Sequence, residues 1–179
     1  IERRRKSGSF VRRPQSQAAI LEIHDIATEV RGLGLLYRYE RVSRQRRITA
    51  RQDDERIEAT AGTPLLELTC VHFAAAEPFC LEERVINLTT VPEADAESFA
   101  ETAPGPWLLG RVPWSAAEHV IGATAAEGQA GKLLGVPAGS PCLVIERRTW
   151  SDGRPVTHVR LTYPGDSHRL VARFTPQDG

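Results

Sequence analysis

Cys70 and His72 stand two residues apart in one apolar run, and Cys80, Glu82 and Arg84 stand two apart in the next. Side chains at i and i+2 of an extended chain share a face. If both runs are strands, they present thiols, an imidazole, a carboxylate and a guanidinium to one space, joined by Thr157 and Tyr163 from a later run. These groups suit the recognition of a small polar molecule: a carboxylate accepts an N–H, an imidazole stacks or exchanges a hydrogen bond, and hydroxyls do either. Cys70, His72 and Cys80 would also suit a soft metal, but Cys-x-His lacks the four-ligand spacing of a closed site, so neither metal nor cofactor is expected. No nucleophile-base motif is visible, and the same residues read equally well as a satisfied half-buried histidine, a paired carboxylate and core cysteines.

Two related segments, 77 residues apart, carry these groups. Gly62-Thr63-Pro64 recurs as Gly139-Ser140-Pro141, each followed by an apolar run (65–73; 142–150), a polar turn, and a proline (Pro78; Pro155) that opens a second run. The Asp152-Gly153 turn is a strong hairpin signal. Two hairpins of common origin imply halves meeting across a pseudo-twofold seam, where a concave ligand site is natural.

Around the hairpins the pattern predicts a helix over 18–31 (Ile20, Ile23, Ile26, Ala27 and Val30 on one face, stopped by Gly32 and Gly34), a strand over 35–48 with Tyr37, Tyr39, Arg41 and Ser43 on one face, and a short helix over 51–59. A loop with one short helix is expected over 91–106, a strand over 119–123 and a helix over 125–134. The fold class is α+β: an antiparallel sheet of duplicated hairpin units with helices on one face. The chain of 179 residues suffices for one well-buried core. It holds three cysteines and no bilayer-length apolar run, which points to reduced thiols in a cytoplasmic, non-membrane protein. Formal charge sums to zero, yet residues 1–14 hold six Arg/Lys (Arg3, Arg4, Arg5, Lys6, Arg12, Arg13) against one Glu. The pattern there is that of a basic hairpin around Ser7-Gly8, suited to DNA phosphates.

In order along the chain, Leu134-Gly135-Val136-Pro137-x-Gly139-Ser140-Pro141, Ile145-Glu146-Arg147, Asp152-Gly153-x-Pro155 and Tyr163-Pro164-Gly165-Asp166 resemble the effector-binding UTRA domain of GntR-superfamily transcription regulators, whose fold is like that of chorismate lyase. The segments 78–84, 104–109, Pro113-Trp114 and 157–166 are most similar to its histidine-utilisation branch. The resemblance implies a homodimeric repressor that is not an enzyme, with residues 1–14 the end of a winged helix-turn-helix wing, 15–19 a linker and 20–179 the effector domain. The rest of the DNA-binding domain that contacts operator DNA would be missing. In relatives that sense sugar phosphates, the positions matching Cys70 and His72 resemble a pair of phosphate-clamping arginines, and this chain has neither; the implied effector is urocanate or a related imidazole acid. On that reading the ligand contacts are Cys70, His72, Glu82, Trp107 as a lid, Thr157 and Tyr163. Arg160 is the first choice for the carboxylate although its strand parity is opposite, with Arg84 and Arg147 as competitors. Another small metabolite, or a chorismate lyase-like enzyme, are the alternatives.

Overall fold

A computed structural model describes residues 16–19, 25–50 and 53–171. The basic segment, and with it the expected wing residues Arg3 to Arg13, lies outside the described residues. The expected strands form six long ones: β2 (Tyr37–Ile48), β3 (Pro64–Ala74), β4 (Glu77–Asn87), β5 (Ala116–Ala125), β6 (Pro141–Ser151) and β7 (Arg154–Pro164). They make one antiparallel sheet in the order β2-β3-β4-β7-β6-β5.

The halves meet where β4 pairs with β7. Glu83 lies opposite Arg160, and these two residues are themselves 77 positions apart, so the pseudo-twofold axis passes through that pair. The duplication runs further than the hairpins. Shifted by 77, β2 falls on β5, and the register irregularity between His72 and Phe73 falls on that between Thr149 and Trp150. Two short helices correspond likewise, α1 (Ile26–Gly32) to α3 (Pro104–Leu109), as do α2 (Asp53–Ile57) and α4 (Gly128–Leu134).

Helices cover both faces of the sheet rather than the one expected. Strand alternation puts Leu66, Leu68, Cys70 and Ile86 on the face that packs with Trp107 and Leu108 of α3, while Cys80, Val159, Leu161 and Tyr163 of that face pack with Ile26 and Val30 of α1. The other face carries Val71 and Leu81 against Leu134 of α4, and Leu65 and Val85 against Ile57 of α2. Strands of the central pair bury side chains on both faces, so their near-continuous apolar runs carried no sign of which face a helix would take.

The first helix is shorter than its apolar spacing suggests. Asp25 caps it, its carboxylate accepting from the Ala27 N–H at 3.2 Å, and the helix begins only at Ile26. Residues 16–19, in the stretch expected as linker and helix start, form β1 (Ser16–Ala19) instead, which pairs in parallel with β8 (His168–Val171). In β2 a bulge at Val42 breaks the expected alternation: Tyr37, Tyr39 and Arg41 point one way, and Ser43 is exposed. Among the described residues no helix is long and apolar enough to cross a membrane.

Gly165, in the turn after β7, donates its N–H to the Pro141 carbonyl at 2.9 Å. A Cβ there would stand 2.8 Å from the same oxygen, which is backbone and cannot yield cheaply. Gly165→Ala should therefore destabilise the domain by about 1–3 kcal/mol, the usual cost of overpacking. Urea unfolding would register this as a lower midpoint at unchanged slope; an unchanged midpoint would contradict the close approach.

Candidate functional site

A cavity of about 660 Å³, its open mouth included, lies on the sheet face between α1 and α3. Its floor crosses the seam: His72, Glu82 and Arg84 come from the first half, and Arg147, Thr149, Thr157 and Leu161 from the second. Asp25 and Ile26 of α1 form one wall, and Gly105, Pro106 and Leu108 of α3 the other. The size suits a small metabolite.

Glu82 is the centre of the floor. It is buried, and its two oxygens are held separately: Oε2 meets His72 Nε2 at 2.7 Å, and Oε1 accepts from Arg84 Nε at 2.5 Å. Burial alone would raise its pKa, but the charge of Arg84, aided by His72, outweighs this and holds the carboxyl down at about 2. Because Glu82 can only accept, the neutral His72 carries its proton on Nε2, leaving Nδ1 to accept from the Tyr37 hydroxyl at 2.8 Å. Arg84 continues the chain through Nη1 to Thr157 Oγ1 at 3.3 Å, and Thr157 donates to the Val85 carbonyl at 2.7 Å. Every floor group from Tyr37 to Thr157 is thus locked.

Arg147 is different. It projects from β6 into the same cavity and no hydrogen bond or ion pair holds it among the described residues; its buried Nε has no partner. Burial, reinforced by the like charge of Arg84, lowers its pKa to about 10. Glu29 of α1 is close enough to feel this cation, yet its Oε2 is also buried without a partner, and burial raises its pKa to about 7. Two guanidiniums therefore face the cavity, with one fully engaged carboxylate between them and a second whose charge is suppressed. A ligand anion would relieve that imbalance.

The expected site residues divide accordingly. His72, Glu82 and Thr157 line the cavity. Both His72 nitrogens are already bonded, so the ring can offer a ligand its surface but no free nitrogen. Cys70 is buried behind the floor, with its Sγ 3.3 Å from the Tyr39 hydroxyl, which itself donates to the Phe99 carbonyl. Trp107 is no lid: it packs edge-on against Phe99 and donates Nε1 to Glu97 at 3.1 Å, whereas Trp114, half exposed, stands at the mouth. Tyr163 is core, stacked on His168 at 3.9 Å and edge-on to Phe79. Arg160 lies on the opposite sheet face, bonded to Glu146 at 2.6 Å, because no bulge reverses its parity. Arg147 is the residue that parity could have promoted, since it pairs with Val159 and so shares the face of Thr157 and Leu161.

Comparison with known proteins places this geometry. The UTRA domain pattern matches residues 32–169. The chain belongs to the UTRA domain family. It is 33% identical over 168 residues to the histidine utilization repressor of Pseudomonas aeruginosa, covering 94% of this chain and 67% of that protein. The Klebsiella aerogenes repressor is also 33% identical, over 172 residues, with 93% of this chain and 69% of that one covered. The C-terminal domain of the histidine utilization repressor from Pseudomonas syringae pv. tomato superposes with a TM-score of 0.73 at 33% identity, covering 79% of this chain and all of that domain. PhnF from Mycobacterium smegmatis reaches a TM-score of 0.84 over 98% of this chain and 78% of its own, at 18% identity, and so shares the fold. The curated relatives are named as repressors and not as enzymes.

The Glu29 environment sets a pH dependence with a definite sign. Its folded pKa, about 7, lies above the ordinary value of 4.5, so the folded state holds a proton the unfolded state has released. Its stabilising contribution is full below about 4.5 and is lost as pH rises to about 7. Glu29→Gln should flatten the thermal midpoint between pH 5 and 8 relative to the parent chain. Parallel profiles for the two proteins would contradict the burial of this carboxyl.

Proposed function

We propose that this domain is the effector sensor of a repressor of histidine-utilisation genes, and that it binds urocanate or a related imidazole acid in the cavity across the seam. The observation that carries the reading is Arg147, a buried cation in the cavity with no partner among the described residues. A ligand carboxylate would bond to Arg147 and to the unengaged end of Arg84. The planar imidazole would lie toward His72 and Glu82, whose oxygens each keep a second lone pair for an N–H. Thr149 and Thr157 bound the space between these ends.

Several features favour a small monoanion over a phosphate ester. Cys70 and His72 stand where the resemblance leads one to expect phosphate-clamping arginines, and Cys70 is sealed off behind Tyr39. Burial also raises the Cys70 thiol to about 12, so it brings no charge of its own to the site. The likeness to histidine utilization repressors over most of the chain supports the imidazole acid in particular. In the whole regulator, operator DNA would be gripped by a homodimer through the DNA-binding domains that precede this one, and ligand binding would bias how those heads are set by stabilising one arrangement over another.

Calorimetric titration tests the assignment. Urocanate should bind the parent chain, and Arg147→Gln should weaken it by about 1.5–3 kcal/mol, the range for a charged hydrogen bond. Arg160→Gln, on the opposite sheet face, and Tyr163→Phe, in the core, should leave affinity within about 0.5 kcal/mol. Glucosamine 6-phosphate should produce no comparable heat. Equal losses from the Arg147 and Arg160 variants, or tighter binding of the sugar phosphate, would overturn the assignment.

A further inference from the structure

The two edges of the six-stranded sheet are equivalent by the internal repeat and opposite in chemistry. β2 carries five arginines. Arg41 and Arg44 reach across to the carbonyls of Ser98, Glu97 and Asp95, and Arg47 is clamped by Asp53 and Glu67. That edge is charged and strapped by a loop, the usual means by which an edge is kept from pairing with another chain. β5 has neither device. Its sequence, AAEHVIGATA, holds no Lys or Arg and a single Glu, and among the described residues it pairs with β6 alone. Val120 and Ile121 project to opposite faces and both are exposed, at 50% and 39%. An uncharged ten-residue edge with apolar side chains on both faces is a template for strand addition unless something covers it.

We infer that β5 is the homodimer interface: β5 of a second copy pairs with it antiparallel about a twofold axis, joining the two sheets into one of twelve strands. Self-complementarity selects this occupant. A twofold axis perpendicular to the sheet preserves its faces, so it must pass through a residue rather than between two. With the axis at Val120, Glu118 falls opposite Gly122; with it at Ile121, Glu118 falls opposite Thr124. In neither register does the one charged residue oppose itself, and Val120 and Ile121 gain apolar or small neighbours from the partner. On β2 the same operation would set arginines against arginines. The interface would also lie near the cavity mouth, since Trp114 lines that mouth and stands two residues before β5.

This inference rests on the dimeric reading above but not on the identity of the effector. The test is sedimentation velocity on the 179-residue chain, alone and as Val120→Lys and Ile121→Lys. The expected result is a dimer for the parent at tens of micromolar and a monomer for both lysine variants, with far-ultraviolet circular dichroism and cooperative melting retained. Val120→Cys and Ile121→Cys supply a readout independent of those variants: oxidation should crosslink one of them into a covalent dimer, while the parent stays uncrosslinked because Cys70, Cys80 and Cys142 are buried. A monomeric parent would overturn the dimer and the interface together. A dimer that survives both lysines, with neither cysteine variant crosslinking, would overturn β5 and leave dimerisation by another surface.

Discussion

Everything in the cavity depends on a carboxylate that has been taken out of water. Glu82 sits at the seam of the sheet with no access to solvent, and it stays ionised because His72 and Arg84 each take one of its oxygens. Removing either partner would strand a buried charge, which costs about 3–5 kcal/mol. Tyr37 and Thr157 extend the same chain of bonds to β2 and β7, so the network that satisfies Glu82 also ties three elements of the sheet together. The floor is consequently rigid and polar without having spare donors, apart from the outer end of Arg84.

Against that neutralised floor, Arg147 stands out as the group whose bonds are unmade. The duplication explains the asymmetry. Shifted by 77, Cys70 corresponds to Arg147 and His72 to Thr149, so what one half supplies as a thiol and an imidazole the other supplies as a cation and a hydroxyl. A cavity that straddles the pseudo-twofold axis thus has unlike ends, and a ligand with a carboxylate at one end and an imidazole at the other matches them in one orientation. The same divergence marks the sheet edges, where one descendant of the repeated strand became arginine-rich and the other lost its charges.

The hairpins were plain in the residues because their signals are local. Gly-x-Pro openings, Asp152-Gly153 and alternating apolar runs act over a few residues, and all four strands appear within one or two residues of expectation. Sharing of a face by Cys80, Glu82 and Arg84, and by Thr157 and Tyr163, follows from strand geometry alone. The extension of the repeat to α1 and α3 was hidden because IATEVRG and PGPWLL have nothing in common beyond their place. Likewise β1 gave no sign, since a four-residue strand exists only through its partner β8.

Sequence by itself determined the α+β class, the duplicated hairpins, the family resemblance, and the presence of Glu82, His72 and Thr157 on cavity-facing positions, all consequences of period-two alternation and of motif order. Tertiary structure alone decided which members of each face reach the cavity. Tyr163 and Thr157 share a face of β7, but Tyr163 is covered by His168 from β8 while Thr157 lies open under Pro106. Arg147 and Arg160 are both arginines in family-like segments, yet one strand register turns Arg147 into the cavity and Arg160 toward Glu146 on the far side. Alternation says which residues lie together; only the elements stacked over the sheet say which of them are buried in core and which are left for a ligand.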